Sequence, residues 1–486
     1  MNFANQQLHQ TPQISMETLI GASPLLGHKL ENRSRIRDAQ DVELVKAWQE
    51  TTSTPLKNYE QQHLFSVAPL DLLVSESCGQ KEFHLMELNG TGIGGLTNLS
   101  FFAVNEILDS MSQMAKQQLT QEVNPMVLIA SSGKESNENP RLNKLIYEKL
   151  LYAEAFKRGF EEHGQQTTIC TMPSLMQDPS PMADSNPVVV VGYIKDFLSE
   201  LGIRSDGRLT LYGRPVTGAV NDRFCLNVLA QFDGLVDLNQ FATLNRCHLA
   251  GGDKGVAYSL LNDFLQDNPK AFFPDQVRHQ VANSRSELIA AIQDWRRQGL
   301  KTVIKPQGTG LGHGIEFFLV DDEESDVIRK VDRSIRLTEE YYQMAGGAFP
   351  YTLCEFVDAS TVPDVNHPLF GHKYELRVVV YRDGMLLKAF PSIVKVACEA
   401  VGSNQSEPTG LINNITASCI KTGTQGTDFM YPLANRRTLE IFGLSDEHML
   451  ALCSAATGYV RYVIDQVQEN PLRLGLPLNS SLSPSS

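Results

Sequence analysis

Four glycines, Gly308, Gly310, Gly312 and Gly314, join a strand-like run ending at Lys305 to a second strand-like run in the segment TVIKPQGTGLGHGIEFF. That arrangement restricts the folds open to the chain. In dinucleotide-binding and P-loop folds a glycine turn must run into a helix, whose N-terminal N–H groups hold the phosphates. Here the turn passes from strand to strand, so it is expected to form a hairpin. A glycine hairpin can lay its backbone amides against phosphates without any helix, because glycine permits close approach and unusual φ. Lys305 at the strand end would add a compact positive charge. A surface hairpin whose lysine only buries its stem is the plain structural alternative.

A second glycine stretch, HLMELNGTGIGGLTNLS, offers G-x-G-x-x-G spacing at Gly90, Gly92 and Gly95. Alternation along MELN puts Glu87 and Asn89 on one strand face, opposite Leu88. Two oxygens side by side suit a hard cation that also bridges phosphates, the setting Mg²⁺ prefers. A dinucleotide site would instead need an acid at the end of the next strand, about 20 residues on. That distance falls in the helical run NEILDSMSQMAKQQ, and the next strand, PMVLIAS, ends without an acid. The metal reading is therefore preferred, with a dinucleotide-binding turn and a purely structural turn as the alternatives.

The rest of the chain reads as several packed units, which a length of 486 residues allows. Two apolar runs, PLDLLV and EFHLMEL, have the look of a hairpin, and a helical stretch, LSFFAVNEILDSMSQMAKQQL, follows. From Pro125 apolar strand runs alternate with helical periods, which implies a parallel sheet covered by helices. A hairpin-like LTLYGRPVTGAV ends that unit at Asn221, Asp222 and Arg223. Lys254 sits in GGDKG at an expected helix start. Strands LKTVIKP, IEFFLV, PYTLCEFV and YELRVVVYRDGMLLKAFPSIV come next, the last with a tight turn at Arg382-Asp383-Gly384, before a helix and a Ser/Pro-rich tail.

A net charge of −14 argues against a broad phosphate-backbone footprint, so no nucleic-acid partner is expected. The N-terminus lacks the cationic and apolar regions of a secretory signal, and no apolar run is long enough for a bilayer. Eight scattered cysteines without a C-x-x-C pair suit reduced thiols in a cytoplasmic protein.

Lys305-Pro306-Gln307 with its glycines, Glu355 in YTLCEFVD, Arg377 in YELRVVVYRDG and Asn414 in GLINNITAS occur in the order of the ATP-grasp superfamily, which the chain resembles. Those enzymes hold ATP between two α+β subdomains and join a carboxylate to an amine. Their metal hairpin, of the form D…E-x-N, normally follows the last helix. In this sequence the similar pieces, Asp71 and Glu87-Leu88-Asn89, stand near the N-terminus, so the resemblance implies a circularly permuted ATP-grasp fold with an inserted parallel α/β domain. In layout the chain is similar to eukaryotic-type glutathione synthetases over residues 65–420.

The resemblance implies five regions: 1–124 with the metal hairpin, 125–245 as an α/β substrate-binding domain, 246–360 with the phosphate loop, 361–470 as the second ATP-grasp subdomain, and 471–486 as a flexible tail. It implies ATP and Mg²⁺ as cofactors, an acyl phosphate as intermediate, and a small carboxylate and amine, such as an amino acid or small peptide, as substrates. Arg377 would steady the reacting centre, and Lys305 would act on the transferred phosphate. Lys254, Lys305, Gly308, Gly310, Gly312, Glu355 and Lys395 would hold the nucleotide. Asp71, Glu87, Asn89 and Asn414 would serve the metal, with Asn413 not separable from Asn414, and Asn221, Asp222 and Arg223 would face substrate. Each has a plain alternative as a surface lysine, a strand ion pair or a solvated carboxylate. Departures from the glutathione synthetases stand at Gly308 and Thr309, in place of a metal-binding glutamate, and at Pro69 and Asn221, each in place of an arginine. A ligase for other substrates is therefore expected, with a diverged glutathione synthetase or a non-catalytic ATP-binding relative as alternatives. Dimers are common in the superfamily, which leaves room for a homodimer.

Overall fold

The computed structural model describes residues 35–57, 65–90, 96, 98–122, 124–131, 143–183, 185–220, 222–232, 235–236, 242–243, 245, 247–269, 277–307, 314–342, 348–401, 426–470 and 474. Helix α1 (Val42–Thr52) is capped by Asp41, whose side chain accepts from the Leu44 N–H, and it buries Leu44, Val45 and Trp48. Strands β1 (Val67–Ser77) and β2 (Gln80–Leu88) form the expected hairpin. Its two-residue turn places Cys78 and Gly79 at φ 50° and 78°, the mirror-image geometry that matches strand twist. Helix α2 (Phe101–Gln121) then leads to a parallel unit.

That unit contains β3 (Met126–Ser131), α3 (Asn143–Glu161), β4 (Thr168–Thr171), β5 (Val188–Tyr193), β6 (Gly218–Val220) and β7 (Ala242–Thr243). Its sheet has the order β7-β6-β3-β5-β4, with every neighbour parallel. Val127, Leu128 and Ile129 on β3 and Val188, Val189 and Val190 on β5 are buried, as expected of strands covered on both faces. The hairpin read in LTLYGRPVTGAV is a short one, strands 209–211 and 214–215, and the residues after it turn back into the parallel sheet as β6.

Helices α4 (Cys247–Gly251) and α5 (Lys254–Asp267) connect to a four-stranded antiparallel sheet made of β8 (His279–Ala282), β9 (Thr302–Pro306), β10 (Glu316–Phe318) and β11 (Tyr351–Glu355), in the order β8-β11-β9-β10. Helices α6 (Arg285–Arg297) and α7 (Glu324–Tyr342) cover it. The chain then forms β12 (His372–Asp383), β13 (Leu386–Ala400), β14 (Met430–Pro432) and the long helix α8 (Asp446–Glu469).

The widest sheet joins the two ends of the chain. A two-residue strand, Thr54–Pro55, lies beside β13, followed by β12, β1 and β2, with β14 also on β13. Strand β1 runs antiparallel to β12 from Glu375↔Leu73 to Tyr381↔Val67, a pairing of segments some 300 residues apart. This sheet, the parallel sheet and helix α8 share one continuous apolar core, while the four-stranded sheet has its own, built on Trp295, Ile304, Phe318 and Tyr351. A small third cluster bridges the two bodies, with Tyr258, Val303 and Cys354 packed against Met86 of β2. The protein is thus a mixed α/β molecule of several sheets. No described helix is long and apolar enough to cross a membrane.

Candidate functional site

Charged side chains converge where the hairpin β1–β2 meets β12, β13 and the start of α5. Register brings Asp71 opposite Arg377, and the two form a forked ion pair, Arg377 Nε to Asp71 Oδ1 at 2.7 Å and Nη2 to Oδ2 at 2.6 Å. The second oxygen pairing is geometrically demanding and is the kind that planar guanidinium makes best. Lys395, opposite Glu375 on β13, contacts Asp71 Oδ1 at 3.1 Å and donates to Glu375. Burial favours the neutral acid, but Arg377 and Lys395 outweigh it and hold the Asp71 carboxyl below the usual carboxylate range. Burial pushes the Glu375 carboxyl the other way, upward, in spite of Lys395.

Glu87 and Asn89 stand at the end of β2. The Asn89 backbone N–H donates to Pro69 O at 2.8 Å, and its side-chain nitrogen donates to Asp71 Oδ2 at 3.1 Å. Glu87 lies opposite Asp71 in register and meets Lys254 Nζ at 3.0 Å. Burial would raise its pKa, yet Lys254, aided by Lys305, holds it below the ordinary value.

The GGDKG segment explains how Lys254 arrives there. Gly251 packs so closely on β2 that a Cβ would lie 2.5 Å from Leu88 Cδ2, and a Cβ at Gly255 would lie 2.6 Å from Val281 Cγ2 on the smaller sheet. Between them Asp253 caps α5, accepting from Gly255 N at 2.8 Å and Val256 N at 3.2 Å, while its other oxygen accepts from Gln307. One helix start therefore touches both bodies. One turn on, Tyr258 accepts from Lys305 Nζ at 2.6 Å and donates to Met86 O at 3.4 Å. Burial pushes the Tyr258 hydroxyl up to about 12 although Lys305 pulls it down, so it stays a neutral hydrogen-bonding group.

The expected residues are thus distributed as follows. Asp71, Glu87, Asn89, Lys254, Lys305, Arg377 and Lys395 come together. Asp71, expected to serve a metal, has both oxygens engaged by Arg377 and further contacts from Lys395 and Asn89. Glu355 closes β11 opposite Thr302, three register steps from the Lys305↔Thr352 pair, and its backbone N–H donates to Arg278 O at 2.9 Å. Gly308, Gly310, Gly312, Asn414 and Asn221, and the side chains of Asp222 and Arg223, lie outside the described residues. Among the described residues no group of three or more His, Cys, Asp or Glu side chains converges as a metal centre.

Three participants were not singled out in the sequence. Tyr258 lies four residues after Lys254 on one helix face, and Glu375 two before Arg377 on one strand face, spacings that mark both as neighbours. Asp253 has the type and position of an N-cap. Gln307 was read as part of Lys305-Pro306-Gln307 but was given no role of its own.

No protein-family model and no curated protein sequence matches the chain. Among solved structures, D-alanyl-alanine synthetase A from Vibrio cholerae O1 biovar eltor is similar over 69% of this chain and 99% of its own, at 11% identity and a TM-score of 0.32. D-cycloserine synthetase is similar over 60% of this chain and 99% of its own, at 14% identity and a TM-score of 0.24.

Proposed function

We propose that the protein is an ATP-dependent carboxylate–amine ligase with a circularly permuted ATP-grasp arrangement. The observation that carries this reading is the meeting of Glu87 and Asn89, from one end of the chain, with Lys254 and Lys305 from the middle and Arg377 from the other end. An ordinary structural ion pair needs no such convergence of cations.

Mg²⁺ is usually held by one or two protein oxygens plus substrate phosphates. Glu87 and Asn89 fit that donor set: the Asn89 nitrogen is turned to Asp71, which leaves its amide oxygen as the atom for a cation. When bound, the metal would neutralise charge on the phosphates. Lys305 and Lys254 bring further positive charge to the same place, and Gln307, donating to Asp253, ties the end of β9 to the start of α5. Arg377 is held in one orientation by Asp71 and forms a rigid positive wall beside the reacting centre. In the proposed reaction a substrate carboxylate oxygen bonds to the γ-phosphorus and ADP leaves. An amine then attacks the acyl carbon, expels phosphate and gives up a proton. Positioning and charge neutralisation account for nearly all that a protein can contribute to such phosphoryl transfer.

The test is a panel of amino acids and small peptides incubated with ATP and Mg²⁺. The reading expects ADP and phosphate to appear in step with a new amide, and at least a hundredfold loss of turnover in a folded Glu87→Gln variant. AMP and pyrophosphate as stoichiometric products, or an unaffected Glu87→Gln variant, would contradict it.

A further inference from the structure

Among the described residues, Asp71, Glu375 and Glu87 each have a cation beside them before any ligand arrives. Asp71 has Arg377 and Lys395, Glu375 has Lys395, and Glu87 has Lys254. With Lys305 included, four cations face three acids among the described residues, and Asp253 stands behind them at the helix start. A lone divalent cation entering this cluster would meet a balanced or slightly positive field and would have to displace Lys254 from Glu87. A nucleoside triphosphate carrying the same cation changes that balance. Its phosphates bring more negative charge than the cation cancels, and they offer the Lys254 ammonium another partner.

Lys254 is not a wandering surface lysine. Its side chain is only 10% exposed, against 34% for Glu87. It sits on the first turn of α5, which Asp253 caps and which Gly251 and Gly255 let sit tight against both sheets. The backbone carrying the lysine is therefore fixed, and only its flexible stem has to move for the ammonium to leave Glu87.

We propose that Lys254 is an internal placeholder for the metal: it occupies Glu87 while the site is without nucleotide, excludes a free divalent cation, and transfers to the phosphates when metal and nucleotide enter together. This rests on the nucleotide reading above and adds to it an order of binding. The metal arrives on the nucleotide and not ahead of it.

Mn²⁺ serves as the probe, with free Mn²⁺ followed by electron paramagnetic resonance, in the presence and absence of a non-hydrolysable ATP analogue. The wild-type chain is expected to hold Mn²⁺ at least tenfold more tightly with the analogue than without it. Lys254→Met should shift the two affinities in opposite directions, gaining tenfold or more for Mn²⁺ alone and losing tenfold or more for the analogue. Lys254→Gln, which avoids placing an apolar side chain among charges, should show the same two shifts, and Lys254→Arg should keep the wild-type pattern. Opposite shifts cannot come from a misfolded variant, which would lose both. Wild-type protein that binds the analogue and also holds Mn²⁺ alone just as tightly overturns the placeholder, as do Met and Gln variants that gain nothing for Mn²⁺. Wild-type protein that binds no analogue at all overturns the ligase reading instead.

Discussion

At the scale of single residues, much of the site was legible because strand alternation alone puts Glu87 with Asn89 on one face, and because Lys305 and Arg377 each end or line an apolar run. What alternation does not encode is which acid answers which cation. Asp71 read as a metal residue and its carboxylate proves to be spoken for by Arg377 and Lys395, a fact that depends on a register between distant strands. Glu154 shows the same limit in the α/β unit, where nothing in YAEAFKR marks it out from a solvated glutamate. In the fold it is 2% exposed, and neither carboxylate oxygen has a hydrogen-bond partner among the described residues. Burial pushes its pKa up from 4.5 to about 7, with Lys157 and Arg158 only partly opposing. Because the folded value lies above the unfolded one, the folded state binds the proton more tightly, and stability falls as pH rises from about 4.5 through about 7 and is level above that. Glu154→Gln should remove this slope and raise stability at pH 8 by up to about 3 kcal/mol while leaving stability at pH 4 nearly unchanged. Denaturant melts of both proteins at several pH values check it, and parallel curves for the two would show that Glu154 is not the titrating group.

At the scale of elements, the hairpin β1–β2, the helices α1, α2, α3 and α8, and the strands of the parallel sheet could all be read from periodicity and turn residues. Helices α6 and α7 were not singled out although both carry the helical period, with Leu288, Ile292 and Trp295 on α6 and Val327, Val331 and Ile335 on α7 recurring at three- or four-residue steps toward the small sheet. Strand β8 has only four residues, of which only Ala282 is fully buried, too short a run for alternation to speak. Helix crossings likewise leave only faint marks. On α3 a Cβ at Gly159 would lie 2.4 Å from Ser112 O and 2.7 Å from the Ala115 Cβ of α2, and Ser112 Oγ donates to Ala155 O at 2.9 Å across the same contact. Backbone stands in the way, so the clash cannot be relieved by turning a side chain. Gly159→Ala, which by helix propensity alone should stabilise by somewhat under 1 kcal/mol, is therefore expected to cost on the order of 2–3 kcal/mol through separation of the two helices. Thermal melting measures the sign directly, and a stabilised variant would mean that α2 and α3 do not cross this closely.

At the scale of the whole molecule, the site lies between two bodies with separate apolar cores, joined by the start of α5 and by the cluster of Tyr258, Val303, Cys354 and Met86. No local pattern could reveal this, because pairing β1 with β12 closes a loop of some 300 residues and is decided by burial of both strands in one sheet. The consequence is mechanical. A ligand held by Lys305 on one body and by Glu87 and Asn89 on the other should hold the two together, and the elements at the joint should feel it as a unit. Hydrogen exchange with ATP and Mg²⁺ present should thus slow at three separated places at once: the amides of Gly255 and Val256 in the first turn of α5, the end of β2 near Asn89, and β9 around Lys305. Binding at about 100 times Kd adds roughly 2.7 kcal/mol to the stability of the liganded form, enough to slow openings that release the ligand by about a hundredfold. The Gly255 and Val256 amides are the most telling of the three, since they donate to Asp253, which also accepts from Gln307. Protection confined to β9 and the rest of the four-stranded sheet would place the nucleotide on that body alone, and Glu87 and Asn89 would then have no part in holding it.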